Sequence, residues 1–200
     1  MKILIIVIVI LITLFILLQS YTYMSSNKTE EQKYDVILKE DDFEVRFYPS
    51  ATIATIRSDA KTYKELSGPG FRQLAGYIFG GNQEKTSIAM TAPVHMDIND
   101  SGSTMSFVMP SGFNETNLPE PNDPGVVIEK TKEEHVAAIR FSGFASEDDL
   151  KLYTMKLQNI LQDKGISSYG HFRYLGYNPP YQLIGRRNEI IVSVVWQKSN

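Results

Sequence analysis

The 200-residue chain contains no cysteine. Without a thiol there is no disulfide, no thiolate metal site, no nucleophilic cysteine and no lipid-modified N-terminal cysteine, so the fold must be stable on packing alone. Histidine is scarce: His95, His135 and His171 are the only three. They lie far apart and form no His-x-x-x-His or Glu-x-x-His pair, so a metal site built from protein ligands alone is not expected. An excess of positive charge is also missing. Lys and Arg number 20 against 23 Asp and Glu, a net charge of −3. No basic block or basic–aromatic alternation appears, which argues against a nucleic-acid partner. There is no Gly-x-Ser-x-Gly elbow, and Gly80-Gly81 follows a helical pattern rather than opening one, so it cradles no phosphate. The carboxylate pairs Asp41-Asp42, Glu133-Glu134 and Asp148-Asp149 are sequence neighbours that do not face each other, and read as solvated charges. The surviving expectation is a binding protein, not an enzyme.

One long apolar run is present. After Lys2, Ile3 to Leu18 is interrupted only by Thr13. At 1.5 Å per residue this spans roughly 24 Å, a little short of the ~30 Å hydrocarbon core; Lys2 can snorkel, and Tyr21 and Tyr23 suit the far interface. Residues 1–20 read as an uncleaved signal anchor or a cleaved signal peptide. The length of the run and the lack of an Ala-x-Ala site favour the anchor. Either reading exports the domain: membrane-anchored and periplasmic or extracellular, or secreted if the leader is cleaved. Residues 21–33, polar from Ser25 to Lys33, read as a flexible tether, and 34–198 as one folded domain, expected to be monomeric.

That domain repeats itself. Phe43–Phe47 and Ala51–Arg57 are predicted strands. Lys61–Leu66 reads as one helical turn, and Ser67-Gly-Pro-Gly70 as a break with Pro69 opening the next helix. Phe71, Leu74, Ala75 and Ile78 then form a helical stripe that Gly80-Gly81 closes. From Ile88 to Ile98 apolar residues fall on every second position, a half-buried strand in which Pro93 marks an edge or a bulge. Thr104–Met109 is a further strand. After a Pro-rich loop at 110–125 the order recurs: Val126–Lys130 and His135–Phe141, expected to pair with each other, then a helix capped by Ser146 and ended by Gly165, then strands His171–Tyr177 and Ile190–Trp196. The fold class is α+β. Two strand–strand–helix–strand–strand modules are expected to form a distorted eight-stranded barrel with two helices, and a ligand cleft between the halves.

Leu74-Ala-Gly-Tyr-Ile-Phe-Gly-Gly-Asn82, Ile88-Ala-Met-Thr-Ala-Pro-Val94, Gly176-Tyr-Asn-Pro-Pro180 and Gly185-Arg-Arg-Asn-Glu189 together resemble the SOUL haem-binding family, plant and bacterial members especially. The resemblance runs from about Tyr34 to Trp196. It implies an α+β fold shared with effector-binding domains of bacterial regulators, and haem or another tetrapyrrole held non-covalently against the first domain helix. In one family branch an Arg, a Met and a Lys surround the ligand. Alignment through Tyr77 puts Gly68, Ala75 and Gly76 at those positions, so this chain would use other residues. Candidates for a flat apolar cleft are Phe71, Leu74, Tyr77, Met90 and Tyr181, though an aromatic and Met stripe is also simply core. Arg186 and Arg187 are candidates for clamping carboxylates such as propionates, or alternatively one pairs with Glu189 and the other is solvated. His95, expected at a rim, and His171 are the candidate iron ligands; His135 reads as solvated. Binding of another small amphipathic ligand, or a small-molecule hydrolase in the cleft, are the alternatives.

Overall fold

The computed structural model describes residues 2–26 and 28–196. Met1, Asn27 and 197–200 lie outside the described residues, and with them one position of the expected tether and the last two of the expected domain. Helix α1 (Lys2–Ser26) is followed by strands β1 (Glu30–Glu31), β2 (Asp35–Lys39), β3 (Glu44–Tyr48) and β4 (Thr52–Ser58) and helix α2 (Tyr63–Ile78). Next come β5 (Thr91–Ala92), β6 (Val94–Asn99), β7 (Gly102–Val108), β8 (Val126–Lys130) and β9 (Glu134–Phe141). Helix α3 (Glu147–Asp163), β10 (Ser168–Gly176) and β11 (Asn188–Val194) complete the chain. Helix α1 is long and apolar enough to cross a membrane. It extends beyond the expected run to include Ser25 and Ser26. Part of the expected tether is ordered as well, because Glu30–Glu31 pairs in parallel with Thr91–Ala92.

Nine strands form one sheet in the order β2-β3-β9-β11-β10-β6-β7-β4-β8. The middle six are two copies of one pattern in mirrored order, β9-β11-β10 and β6-β7-β4, as the internal repeat predicts. Two corrections follow. The sheet is open: among the described residues β2 and β8 are its ends, so no closed barrel forms. And β8 does not pair with β9. It pairs with β4, from Thr52↔Lys130 to Ile56↔Val126, while β3 crosses to β9, from Glu44↔Ala138 to Tyr48↔Glu134. Each half lends its first strand to the other. The turn at 131–134 links the end strand β8 to the interior strand β9, six places away in the sheet, so proximity in sequence is no guide to the pairing.

Helix α2 differs from expectation at its start. Thr62 caps it, its Oγ1 accepting from the Glu65 amide at 3.2 Å, while the Glu65 carboxylate accepts from Lys61 N at 2.8 Å. With the Glu65 amide capped and the chain ahead of the cap held at Lys61, the helix begins at Tyr63 and continues through Pro69. The proline interrupts one backbone bond inside the helix instead of opening it. Gly70 follows for a packing reason: a Cβ there would lie 3.0 Å from Ile56 Cδ1 and 3.2 Å from Met105 Cε, so α2 presses directly onto β4 and β7. Helix α3 matches its prediction. Ser146 and Asp149 form a capping box, and Leu157 and Leu161 are buried on the inner stripe.

Both helices lie on one face of the sheet, over Ile139, Ile190, Tyr174, Met96, Met105, Ile56 and Val126, which are cross-strand neighbours in successive strands and all buried. Pro93 sits between β5 and β6, and β6 is a central strand flanked by β10 and β7, not an edge. The missing donor is tolerated because the ladder breaks there.

Candidate functional site

The signature around Tyr77 is first a folding device. Phe79 N–H bonds to Ala75 O to cap α2, and Gly80 takes φ +101. Gly81 donates to Gly76 O at 2.8 Å, and a Cβ on Gly81 would stand 2.5 Å from that oxygen. Asn82, fully buried, donates to Tyr77 O and Thr86 O at 3.1 and 2.8 Å and accepts from Thr86 N at 3.0 Å. Glycine and asparagine are thus required for chain reversal between α2 and the next strand.

The same applies to most of the predicted apolar cleft. Leu74 and Tyr77 are core residues. The Tyr77 hydroxyl donates to Pro119 O at 3.0 Å, and burial pushes its pKa up to about 12. Phe71 packs on Phe107 with ring centroids 5.4 Å apart, and Met90 is half-buried against the same core. These four residues are packed into the core, not set out as an open cleft, and Tyr181 stands apart from them as an exposed side chain.

Arg187 is already paired. Its Nε donates to Glu189 at 2.9 Å, its Nη1 to Glu31 at 3.0 Å and its Nη2 to Tyr34 OH at 3.2 Å, and it stacks 3.8 Å above the Tyr177 ring. Arg186 is not solvated. Its Nη1 donates to the carbonyls of Pro179 and Gln182 at 2.7 and 2.8 Å, and its guanidinium lies 4.4 Å over Phe144. It therefore fixes the shape of the β10–β11 loop.

His95 points away from the helices. On its cross-strand row it lies between Leu175 and Ser106. Its Nε2 is 2.7 Å from Gln32 Oε1. Desolvation, then the neighbouring Arg173 charge, brings its pKa down to about 3, so it is a neutral, half-buried histidine on the helix-free face. His171 is exposed, 3.5 Å from Asp97, and His135 packs on Phe47 at 5.1 Å. Among the described residues no three His, Asp or Glu side chains are placed to hold a metal ion.

The helix-free face carries a cluster of which only the Arg187–Glu189 pair is anticipated by the sequence. Glu189, fully buried, accepts from Arg46 Nη1 and Nη2 at 2.6 and 3.0 Å, from Arg187 Nε and from Tyr177 OH at 2.9 Å. Burial alone would raise its pKa; the bond and charge of Arg46, then the charge of Arg187, hold it below the ordinary carboxylate range. The Glu189 carboxylate thus already has its partners within the fold.

A cleft of about 270 Å³ opens elsewhere, lined among others by Gln32, Lys33, Val108, Met109, Phe113 and Lys130. It contains none of the predicted residues, and it falls below the roughly 300–1,000 Å³ of ordinary ligand pockets. Among the exposed apolar side chains of the domain, Phe144, Tyr181, Leu183 and Ile184 gather on and beside the Arg186-braced loop, while Phe79, Met155 and Tyr169 lie elsewhere.

Comparison with known proteins decides the family. The model described as SOUL heme-binding protein matches residues 29–193. This chain belongs to the SOUL family. Heme-binding protein 2 of Mus musculus is 30% identical over 156 residues, covering 74% of this SOUL chain and 76% of that protein. Heme-binding protein 1 of Sus scrofa is 27% identical over 155 residues, covering 74% and 82%. Among solved structures, a hydrolase from Listeria innocua superposes with TM-score 0.56 at 9% identity, covering 80% of this chain and 94% of that one. The EcmrR C-terminal domain gives 0.51 at 14%, covering 76% and 96%. At those identities the likeness is one of fold.

Proposed function

We propose that this SOUL protein is a non-catalytic, membrane-tethered binder of haem or a related tetrapyrrole, acting as a carrier or buffer. The family match over 29–193 carries the reading. The residues fit a porphyrin held by apolar contact and do not fit iron ligation. His95 is turned to the face opposite the helices and engaged by Gln32, and His171 lies beside Asp97 and Asn99. Tyr181 and Phe144 offer exposed ring surface, with the Arg186 guanidinium against Phe144; a tetrapyrrole laid there would be held by its face, with Arg186 as the nearby positive charge. Bound haem would contribute its iron and ring system, while the protein contributes position and apolar contact.

The domain organisation belongs to the same proposal: a signal anchor in residues 1–20, a connection through 33, and an extracytoplasmic, monomeric ligand-binding domain. Hemin titration of the full chain in nanodiscs, followed by Soret absorbance, tests it. Saturation at one equivalent is expected, lost in Tyr181→Ala/Phe144→Ala and kept in His95→Ala. Linear, unsaturable uptake would count against the reading. The cleft at Val108–Phe113, lined by Val108, Met109 and Phe113 together with Glu30, Glu31, Lys33 and Lys130, supports the second reading, another small amphipathic ligand; stabilisation on thermal shift without a Soret change would favour it.

A further inference from the structure

The last two turns of α1 are bound to the domain. Gln19 grips the β10–β11 loop on both sides: its Nε2 donates to Tyr181 O at 3.2 Å and its Oε1 accepts from Leu183 N at 3.0 Å. One and two turns on, Thr22 is buried and Ser26 Oγ donates to Gln182 Oε1 at 2.6 Å. The Tyr23 ring lies so close to Gly185 that a Cβ there would be 2.8 Å from it. Gln19 is also the first residue beyond the apolar run ending at Leu18. The level at which the helix meets the loop is therefore the level at which its lipid-compatible surface ends.

The loop at that level exposes apolar side chains with no cover. Tyr181, Leu183 and Ile184 are 63%, 46% and 71% exposed, and Phe144 on the adjacent turn is 56% exposed. The loop does not owe its shape to whatever covers it, because Arg186 holds it from within. Lys and Arg are absent between Pro179 and Gly185, so its attraction to a surface is apolar rather than electrostatic. Tyrosine beside aliphatic residues is a composition suited to the interfacial layer of a bilayer.

We propose that the tip of the β10–β11 loop, Tyr181 to Ile184, inserts into the interfacial layer of the bilayer that α1 spans, so that the domain docks on the lipid by a fixed face. The inference rests on the reading of α1 as a membrane anchor. A ligand held beside Tyr181 would then load from the lipid phase.

The cysteine-free sequence makes the test direct. Single cysteines at Ile184→Cys, Val9→Cys and Glu133→Cys, labelled with an environment-sensitive fluorophore, are compared in the full chain reconstituted in phosphatidylcholine liposomes carrying nitroxide-labelled lipid. Glu133 is exposed just ahead of the end of β9 remote from the loop. The expected result is blue-shifted, quenched emission at 184 and 9, at 184 most strongly with the nitroxide near the headgroup, and water-like emission at 133. Emission at 184 equal to that at 133, with position 9 quenched, overturns the docking and leaves the anchor standing. Water-like emission at all three removes the anchor and the docking with it. Equal quenching at 133 and 184 means unspecific adsorption and also overturns the proposal. Leu183→Asp, with the label at Tyr181→Cys, should reverse the blue shift there.

Discussion

Glu189 and Glu134 lie on neighbouring strands of the same sheet face, and each is met by an arginine. Their surroundings differ. The Glu189 side chain is wholly buried; that of Glu134 is 24% exposed. Glu134 accepts a bidentate pair from Arg173 at 2.9 and 2.8 Å and a hydroxyl from Ser193 at 2.7 Å. Glu189 requires more: Arg46, Arg187 and Tyr177. The two arginines reach outward in turn to Glu44 and Glu31, at 2.8 and 3.0 Å. The result is an alternating row, Glu44–Arg46–Glu189–Arg187–Glu31. A carboxylate removed from water has to be compensated by the protein, and surplus positive charge is passed to the surface, where solvent helps. At a half-open site one bidentate arginine suffices.

Breaking the two clusters should expose the difference. Glu189→Leu leaves two arginines facing an apolar side chain and should cost about 3–5 kcal/mol, seen as a lower urea midpoint. Glu134→Leu, where Arg173 keeps access to water, should cost about 1–2 kcal/mol. Equal losses would mean that burial does not distinguish the sites.

Acid sharpens the contrast. The folded pKa values of both glutamates are depressed. Burial opposes this in each case, and arginine bonds and charge outweigh it. Their stabilisation is therefore present above the unfolded carboxylate value near 4.3 and is lost as pH falls through the folded values. His95 acts earlier. Its folded pKa of about 3 lies below the unfolded value of 6.5, so the unfolded chain binds the extra proton between them. Stability is full above pH 6.5 and declines toward pH 3. His95→Gln should flatten the unfolding-versus-pH curve across that window and leave the carboxylate limb in place.

The smallest effects come from the hydroxyls. Tyr177→Phe should cost about 1 kcal/mol, since its ring stays beneath Arg187 while one bond to Glu189 is lost. Ser193→Ala at the more open carboxylate should cost less.

Local signals served the sequence reading well. Ser146 as a cap, Gly165 as a terminator and the alternation through Met105 and Phe107 depend on neighbours a few residues away, and each appears in the structure as expected. The start of α2 was misread because Ser67-Gly-Pro-Gly70 resembles a breaker, while the Thr62–Glu65 pair and the close approach at Gly70 outweigh it. Pairing is illegible for β3 and β8, since either strand fits beside any apolar partner and only the assembled sheet chooses. The candidate site fared worst. Leu74 and Tyr77 carry the family signature but serve packing, and Glu189 looked like a surface partner for an adjacent arginine because its second arginine, Arg46, is remote in sequence. The exposed residues Phe144, Leu183 and Ile184 gave no periodic signal at all.

The exchange of β3 and β8 has a consequence for synthesis. A nascent chain that has emerged only as far as β7 carries β3 paired with β2 alone and β4 paired with β7 alone, and neither is completed until the second half follows. Such edges invite wrong partners while they wait. The arrangement also defines a natural cut. Severed within the 110–125 loop, the chain should give two pieces that are each incomplete and that recognise one another by trading strands, the behaviour wanted of a complementation reporter.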